Sequence, residues 1–179
     1  PLSPGPNHTA LLTRPAPLIG TFHAAGGSLA YDMMPRATRF LAGRLDDRCA
    51  VSEDAKKMAQ EALGGQYDLA FNGVELARFA SGTPHPTTGP TIFFLGRHEP
   101  RKGLRVLLYA MSQLPADTRL WVAGEGQETA ELMAEHAGDR RIEWLGTISE
   151  SEKIARLRGA DVFCAPSLGG ESVSYTHLT

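Results

Sequence analysis

Beyond residue 90 the chain alternates short apolar runs with amphipathic stretches. Runs at 91–95, 119–123, 142–145 and 161–164 read as buried strands, and stretches near 102–113, 127–137 and 150–158 carry helical spacing. Such alternation predicts a parallel sheet with helices on its faces. Ser149 and Glu152 form a capping-box pair ahead of the third of these helices. The earlier half is less regular. Residues 1–17 are rich in Pro around a short helical piece, Ala10-Leu11-Leu12, and 17–22 reads as a buried strand. Over 29–47 the apolar positions Leu29, Met33, Ala37, Phe40, Leu41 and Leu45 recur at helical spacing, interrupted by Pro35. A strand at 49–51 precedes Ser52, a natural N-cap with Glu53 and Asp54 in the first turn, for a helix that stops at Gly64-Gly65. A short strand at 68–71 and a turn at 72–74 follow.

The stretch from Tyr67 to Pro90 predicts a domain boundary, with 81–90 a linker dense in Pro, Thr and Gly. The expected organisation is an α/β chain of two units, 1–80 and 91–172, around that linker. A length of 179 residues suits one large domain or two small ones. The net charge of −2, with both signs interspersed, leaves no nucleic-acid footprint. Cys49 and Cys164 lie in apolar segments without metal or redox spacing, which fits a reducing compartment. No run is long and apolar enough to span a bilayer. The chain opens at Pro1 rather than Met, so the lack of a targeting pattern carries no weight.

The chemistry concentrates in Gly96-Arg97-His98-Glu99-Pro100-Arg101-Lys102-Gly103. This glycine-bounded loop follows the strand at 91–95, at the carboxyl end where open α/β sheets place ligands. Arg101 and Lys102 at the start of a helix oppose its dipole unless an anion lies between them. From the residues alone, a phosphate site and a solvated basic loop are both open. His23 precedes glycines that permit close backbone approach, yet a lone His at a strand end is usually a packed or partly exposed residue. Glu171, beside Gly169 and Gly170, suits a polar ligand or an exposed turn equally. Gly124-Glu125-Gly126 has a strand before it and a helix after it, but Thr129 takes the third glycine position of a dinucleotide fingerprint and Glu125 would repel a pyrophosphate. The arginines Arg36, Arg39 and Arg44 behind the 29–47 stripe fit a solvated helix back, or a basic helix lying on anionic lipid.

Read in order, Gly-Thr-Phe-His, Ala-Val-Ser, Asn-Gly-Val-Glu, Leu-Gly-Arg-x-Glu-Pro-Arg-Lys-Gly, Ala-Gly-Glu-Gly, Leu-Gly and Ala-Pro-Ser-Leu-Gly-Gly-Glu-Ser strongly resemble the retaining GT-B glycosyltransferases of family four, over residues 15 to 172. Within that family the chain is most similar to the actinobacterial enzymes that move mannose from GDP-mannose to phosphatidylinositol. The resemblance implies two Rossmann-like parallel-sheet domains, a nucleotide-sugar donor, a lipid acceptor such as phosphatidylinositol, and neither metal nor cofactor. It also implies a cytoplasmic protein, peripheral on the inner face of the plasma membrane, with the 29–47 helix available to an anionic surface.

Site residues carry over from that resemblance. Gly96, Arg97 and Lys102 match the loop that binds the donor diphosphate, where two fixed cations stabilise the leaving group without a metal. His23 matches a histidine lining the acceptor and sugar site. Glu171 matches the first acid of a paired-glutamate motif that holds the donor sugar's hydroxyls, which is not the two-carboxylate device of glycosidases. Glu150 and Lys153, with the backbone at Ile148, match positions that contact guanine, whose adjacent donors suit one carboxylate. Glu150 equally complements a helix N-terminus. Asn72-Gly73-Val74-Glu75 matches an interdomain turn.

The chain also departs from the pattern. The family expects Phe-Gly after Glu-Ser, where Val173-Ser174 stand, and a second glutamate where Thr179 stands. Residues 173–179 are therefore expected to be a non-native tail, and the chain an internal fragment with both domains incomplete. Such a fragment is expected to be inactive and only partly able to fold, because uncovered strand edges invite aggregation. The alternatives are a UDP-sugar transferase with another acceptor and a non-catalytic sugar-nucleotide-binding module.

Overall fold

A computed structural model describes Leu2, residues 5–23 and residues 34–168. The chain divides into two compact units between Gly73 and Val74.

The first unit contains helix α1 (Pro6–Thr13), strand β1 (Ile19–Phe22), helix α2 (Pro35–Ala42), strand β2 (Asp47–Ala50), helix α3 (Glu53–Leu63) and strand β3 (Asp68–Leu69). The strands form a parallel sheet in the order β1-β2-β3. α3 starts where the sequence places it: the Ser52 hydroxyl accepts from the Ala55 N–H at 3.1 Å. Its buried stripe, Ala55, Ala59 and Leu63, follows the four-residue repeat of one helix face. The small Ala side chains let the helix lie close on the sheet, where Phe22 meets Tyr67 edge-on at 5.1 Å.

α2 corrects the stripe expected over 29–47. Pro35 opens the helix instead of interrupting it, as its fixed φ and missing N–H allow. The buried positions are Thr38, Leu41 and Ala42, whereas Phe40 and Ala37 face solvent. Residues 29–33 of the expected helix lie outside the described residues.

The second unit contains helix α4 (Leu76–Ala80), strand β4 (Thr91–Leu95), a 3₁₀ turn (Pro100–Lys102), helix α5 (Leu104–Met111), strand β5 (Arg119–Ala123), helix α6 (Thr129–Glu135), strand β6 (Ile142–Gly146), helix α7 (Glu150–Gly159) and strand β7 (Val162–Phe163). All pairings are parallel, in the order β6-β5-β4-β7. Strand order therefore reverses between β4 and β7, and such a switch point opens a crevice at the strands' carboxyl ends. Alternate residues of each strand feed opposite cores. Phe94, Leu120 and Val122 pack with Leu104, Leu108 and Leu132 on one face, while Phe93, Trp121 and Ala123 pack with Leu145 and Leu157 on the other.

The segment 81–90, expected as a linker, is docked on this second face. The His85 N–H donates to the Ala155 carbonyl at 2.9 Å, and its ring meets Trp121 edge-on at 5.1 Å. A side chain at Gly159 would overlap the His85 backbone. The capping box at α7 forms by half: the Ser149 hydroxyl accepts from the Glu152 N–H at 3.2 Å. The Glu152 carboxylate accepts instead from Arg156 at 2.8 Å. Arg156 is buried over the Trp121 ring, 4.4 Å from its centroid, and a fixed carboxylate beside a desolvated guanidinium outweighs a surface cap.

Candidate functional site: the donor-side crevice

The loop after β4 lies at the switch point and is held there by its neighbours' backbones. Gly96 N–H donates to the Ala123 carbonyl at 3.1 Å, and Leu168 N–H, beyond β7, donates to the Arg101 carbonyl at 2.8 Å. Gly103 has φ +71°, and a side chain there would overlap the Pro166 carbonyl. Glycine is required on both counts. Gly124 and Gly126 follow the same logic after β5, where side chains would overlap the backbone of Gly96 and of His98. These glycines allow loops to touch, which gives them a role without any dinucleotide.

Arg101 and Lys102 are not in the first turn of α5. They occupy the 3₁₀ turn, and left-handed Gly103 separates them from the helix. The two cations therefore precede the helix rather than standing in its first turn. Glu99 also sits between the arginines, with one carboxylate oxygen 3.1 Å from Arg97 Nη1 and the other 3.0 Å from Arg101 Nε. Arg97 keeps 69% of its side-chain surface exposed, so its guanidinium is anchored from one side and open to a ligand on the other.

His98, not singled out by the sequence, organises the loop. It is 1% exposed, with Nδ1 2.8 Å from the Thr129 hydroxyl and its ring against Phe94 and Trp144. Its N–H donates to the Glu125 carbonyl, and its carbonyl accepts from the Glu128 N–H. Burial pushes its pKa down, partly opposed by the nearby Ala123 backbone and by the charges of Glu125 and Glu128. A neutral imidazole thus joins the loops after β4 and β5. Only its position between Arg97 and Glu99 could have drawn attention to it.

The remaining positions expected in the site fall in three places. Ile148, Glu150 and Lys153 sit where the chain leaves β6 and enters α7, at the same carboxyl edge of the sheet. Lys153 Nζ is 2.7 Å from one Glu150 oxygen and Arg78 Nη2 is 3.3 Å from the other. The Lys153 hydrogen bond, then the charges of Lys153 and Arg78, hold the Glu150 carboxyl below the usual range despite some desolvation. Glu150 also opens α7, so the helix-start role coexists with the ion pairs. His23 is exposed at the carboxyl end of β1 in the first unit. Glu171 lies outside the described residues.

Comparison with known proteins identifies the family and the fold. The profile of the family described as "Glycosyl transferases group 1" matches residues 89–179. A phosphatidyl-myo-inositol mannosyltransferase of Mycolicibacterium smegmatis is 37% identical over 182 residues, covering 96% of this chain and 47% of its own length. The protein of the same name from Mycobacterium leprae is 35% identical over 182 residues, covering 96% and 48%. The chain thus spans about half the length of the curated relatives it matches. Among solved structures, Anabaena Alr3699/HepE, in complex with UDP and glucose, superposes with TM-score 0.74 at 16% identity, over 93% of this chain and 50% of that one. A glycosyltransferase from Rickettsia africae gives TM-score 0.74 at 21% identity, over 95% and 51%. These likenesses establish the GT-B glycosyltransferase fold, with its parallel α/β sheets. With a basic, glycine-cradled loop at the switch point and the family profile covering just over half its length, the chain belongs to the group 1 glycosyl transferases.

Proposed function

We propose that the protein of which this chain is part transfers mannose from GDP-mannose to phosphatidylinositol or a related lipid, with retention of configuration. The carrying observation is the loop Gly96–Gly103 at the switch point, in a chain 37% identical over 96% of its length to a phosphatidyl-myo-inositol mannosyltransferase. Arg97 and Lys102 bind the donor diphosphate and stabilise the negative charge that grows on it as the glycosidic bond breaks. Glu99 keeps Arg97 oriented before the donor arrives and is exchanged for phosphate oxygens, a small cost for an exposed ion pair. Retention follows from attack on the same face as the leaving group, whose phosphate takes the acceptor proton. Glu150, held as a carboxylate, accepts from guanine's N1–H and N2–H₂, which uracil cannot supply. Glu171 holds the sugar hydroxyls, and His23 lines the acceptor side.

On this reading the protein works at the inner face of the plasma membrane, and Arg36 and Arg39 of α2, with Phe40 exposed beside them, would favour anionic lipid. No helix among the described residues is long and apolar enough to cross a membrane. A UDP-sugar reading is favoured by one observation: the Anabaena neighbour was solved with UDP and glucose. Thermal protection of the full-length protein separates the two, since a ligand that binds the folded state stabilises it. GDP-mannose should protect and UDP-glucose should not; equal protection overturns the base assignment. Transfer of labelled mannose to phosphatidylinositol vesicles tests the acceptor, and transfer to water alone would reject it.

A further inference from the structure

The second unit has another recess, at the amino ends of its strands and so at the opposite edge of the sheet from the donor crevice. It has a volume of about 410 Å³ and is lined by Arg119, Arg140 and Arg141, by Thr87 and Thr88 from the docked segment, and by Glu143. That volume is in the range of small-molecule sites.

Its lining carries three arginines and one glutamate. Arg141 is neutralised by Asp139, whose oxygens accept from its Nε and Nη2 at 2.7–3.2 Å. Glu143 pairs with buried Arg156 at 3.0 Å, which Glu152 shares. The nearby Asp161 carboxylate accepts from the Thr91 N–H at 2.8 Å. Arg119 and Arg140 remain without a carboxylate among the described residues. Arg119 reaches only the Arg140 carbonyl, at 3.5 Å, and its Nε is sealed from water with no acceptor. Two arginines without an ion pair among the described residues, with two threonines lining the same recess, suit a tetrahedral dianion.

We propose that this recess binds the phosphate group of a small phosphorylated molecule, at a site separate from the donor crevice.

The test is phosphate binding by the full-length protein at constant ionic strength, followed by thermal shift and calorimetry. Orthophosphate should raise the melting temperature. Arg140→Gln, at an exposed position, and Arg119→Gln should each weaken binding at least tenfold, whereas Arg97→Gln should leave it within twofold. A hexose 6-phosphate run in parallel identifies the source: tighter binding than orthophosphate marks a sugar phosphate, equal binding marks free phosphate, and either supports the site. No shift with either probe overturns the proposal. So does a shift that survives Arg140→Gln and Arg119→Gln but is lost in Arg97→Gln, because the donor loop would then be the phosphate site.

Discussion

The two ends of the second sheet both carry arginines, but they are built differently. At the carboxyl end, loops after three strands come into backbone contact through Gly103, Gly124 and Gly126, and His98 is buried among them. Arg97 and Arg101 share Glu99 there. At the amino end Gly89 and Gly159 also close onto backbone, that of Asp117 and of His85, but the arginines of the recess are not held by glycines: Arg119 is set by strand register, and Arg140 and Arg141 by the turn before β6. A site that must approach a ligand with its backbone needs residues without side chains, and its loops then depend on one another. Side chains that merely project into a recess can change with little effect on the fold.

That contrast predicts a steep gradient of mutational cost. Gly124→Ala should be the most damaging, because it combines φ +106° with overlap of the Gly96 carbonyl. Strain and overpacking together put the loss at about 4 kcal/mol, measurable by urea unfolding. Arg140→Gln at the other end should cost less than about 0.5 kcal/mol. If the two variants prove equally stable, the contrast fails.

His98→Ala removes the buried ring and one of the Thr129 hydroxyl's two partners, leaving it only the Gly126 N–H. It should cost about 2–4 kcal/mol and weaken donor binding at the same time. Loss of stability with donor affinity intact would mean that the loop after β4 keeps its shape without its anchor.

Arg97→Ala should leave unfolding within about 0.5 kcal/mol of the parent, since its ion pair with Glu99 is exposed. Donor affinity of the full-length protein should fall about ten- to hundredfold, as expected for lost charged hydrogen bonds. Titration calorimetry reads both the loss and whether it is confined to the diphosphate.

The smallest effect is on pH dependence. The pKa of His98 lies below its ordinary value, so the unfolded chain takes up its proton first as pH falls. The contribution of His98 is complete above about pH 6.5 and declines below it, at no more than about 1.4 kcal/mol per pH unit for one proton. His98→Gln should flatten that slope in unfolding curves taken between pH 7 and pH 5. An unchanged slope would assign it to other groups.

Much of this protein is legible in its sequence, because much of it is local. The strands at 91–95 and 119–123 and the N-caps Ser52 and Ser149 are fixed by spacing and by nearby hydrogen bonds, and both appear as the pattern predicts. The basic loop after β4 was readable for the same reason: its glycines and cations are contiguous. Properties that depend on distant residues were not. Phe40 fits an apolar stripe, but the helix starts at Pro35 and turns Thr38 and Ala42 inward beside the expected Leu41. Glu152 has the spacing of a cap, but buried Arg156 takes its carboxylate. His98 is buried only because Thr129, Phe94 and Trp144 surround it, and nothing in its neighbours along the chain announces that. Arg119 and Arg140, 21 residues apart, face one recess because β5 and β6 are paired in parallel, so that both strands begin at the same edge of the sheet. Periodicity and capping act within a few residues and are written into the chain; strand order and the meeting of remote loops are settled only when the sheet assembles.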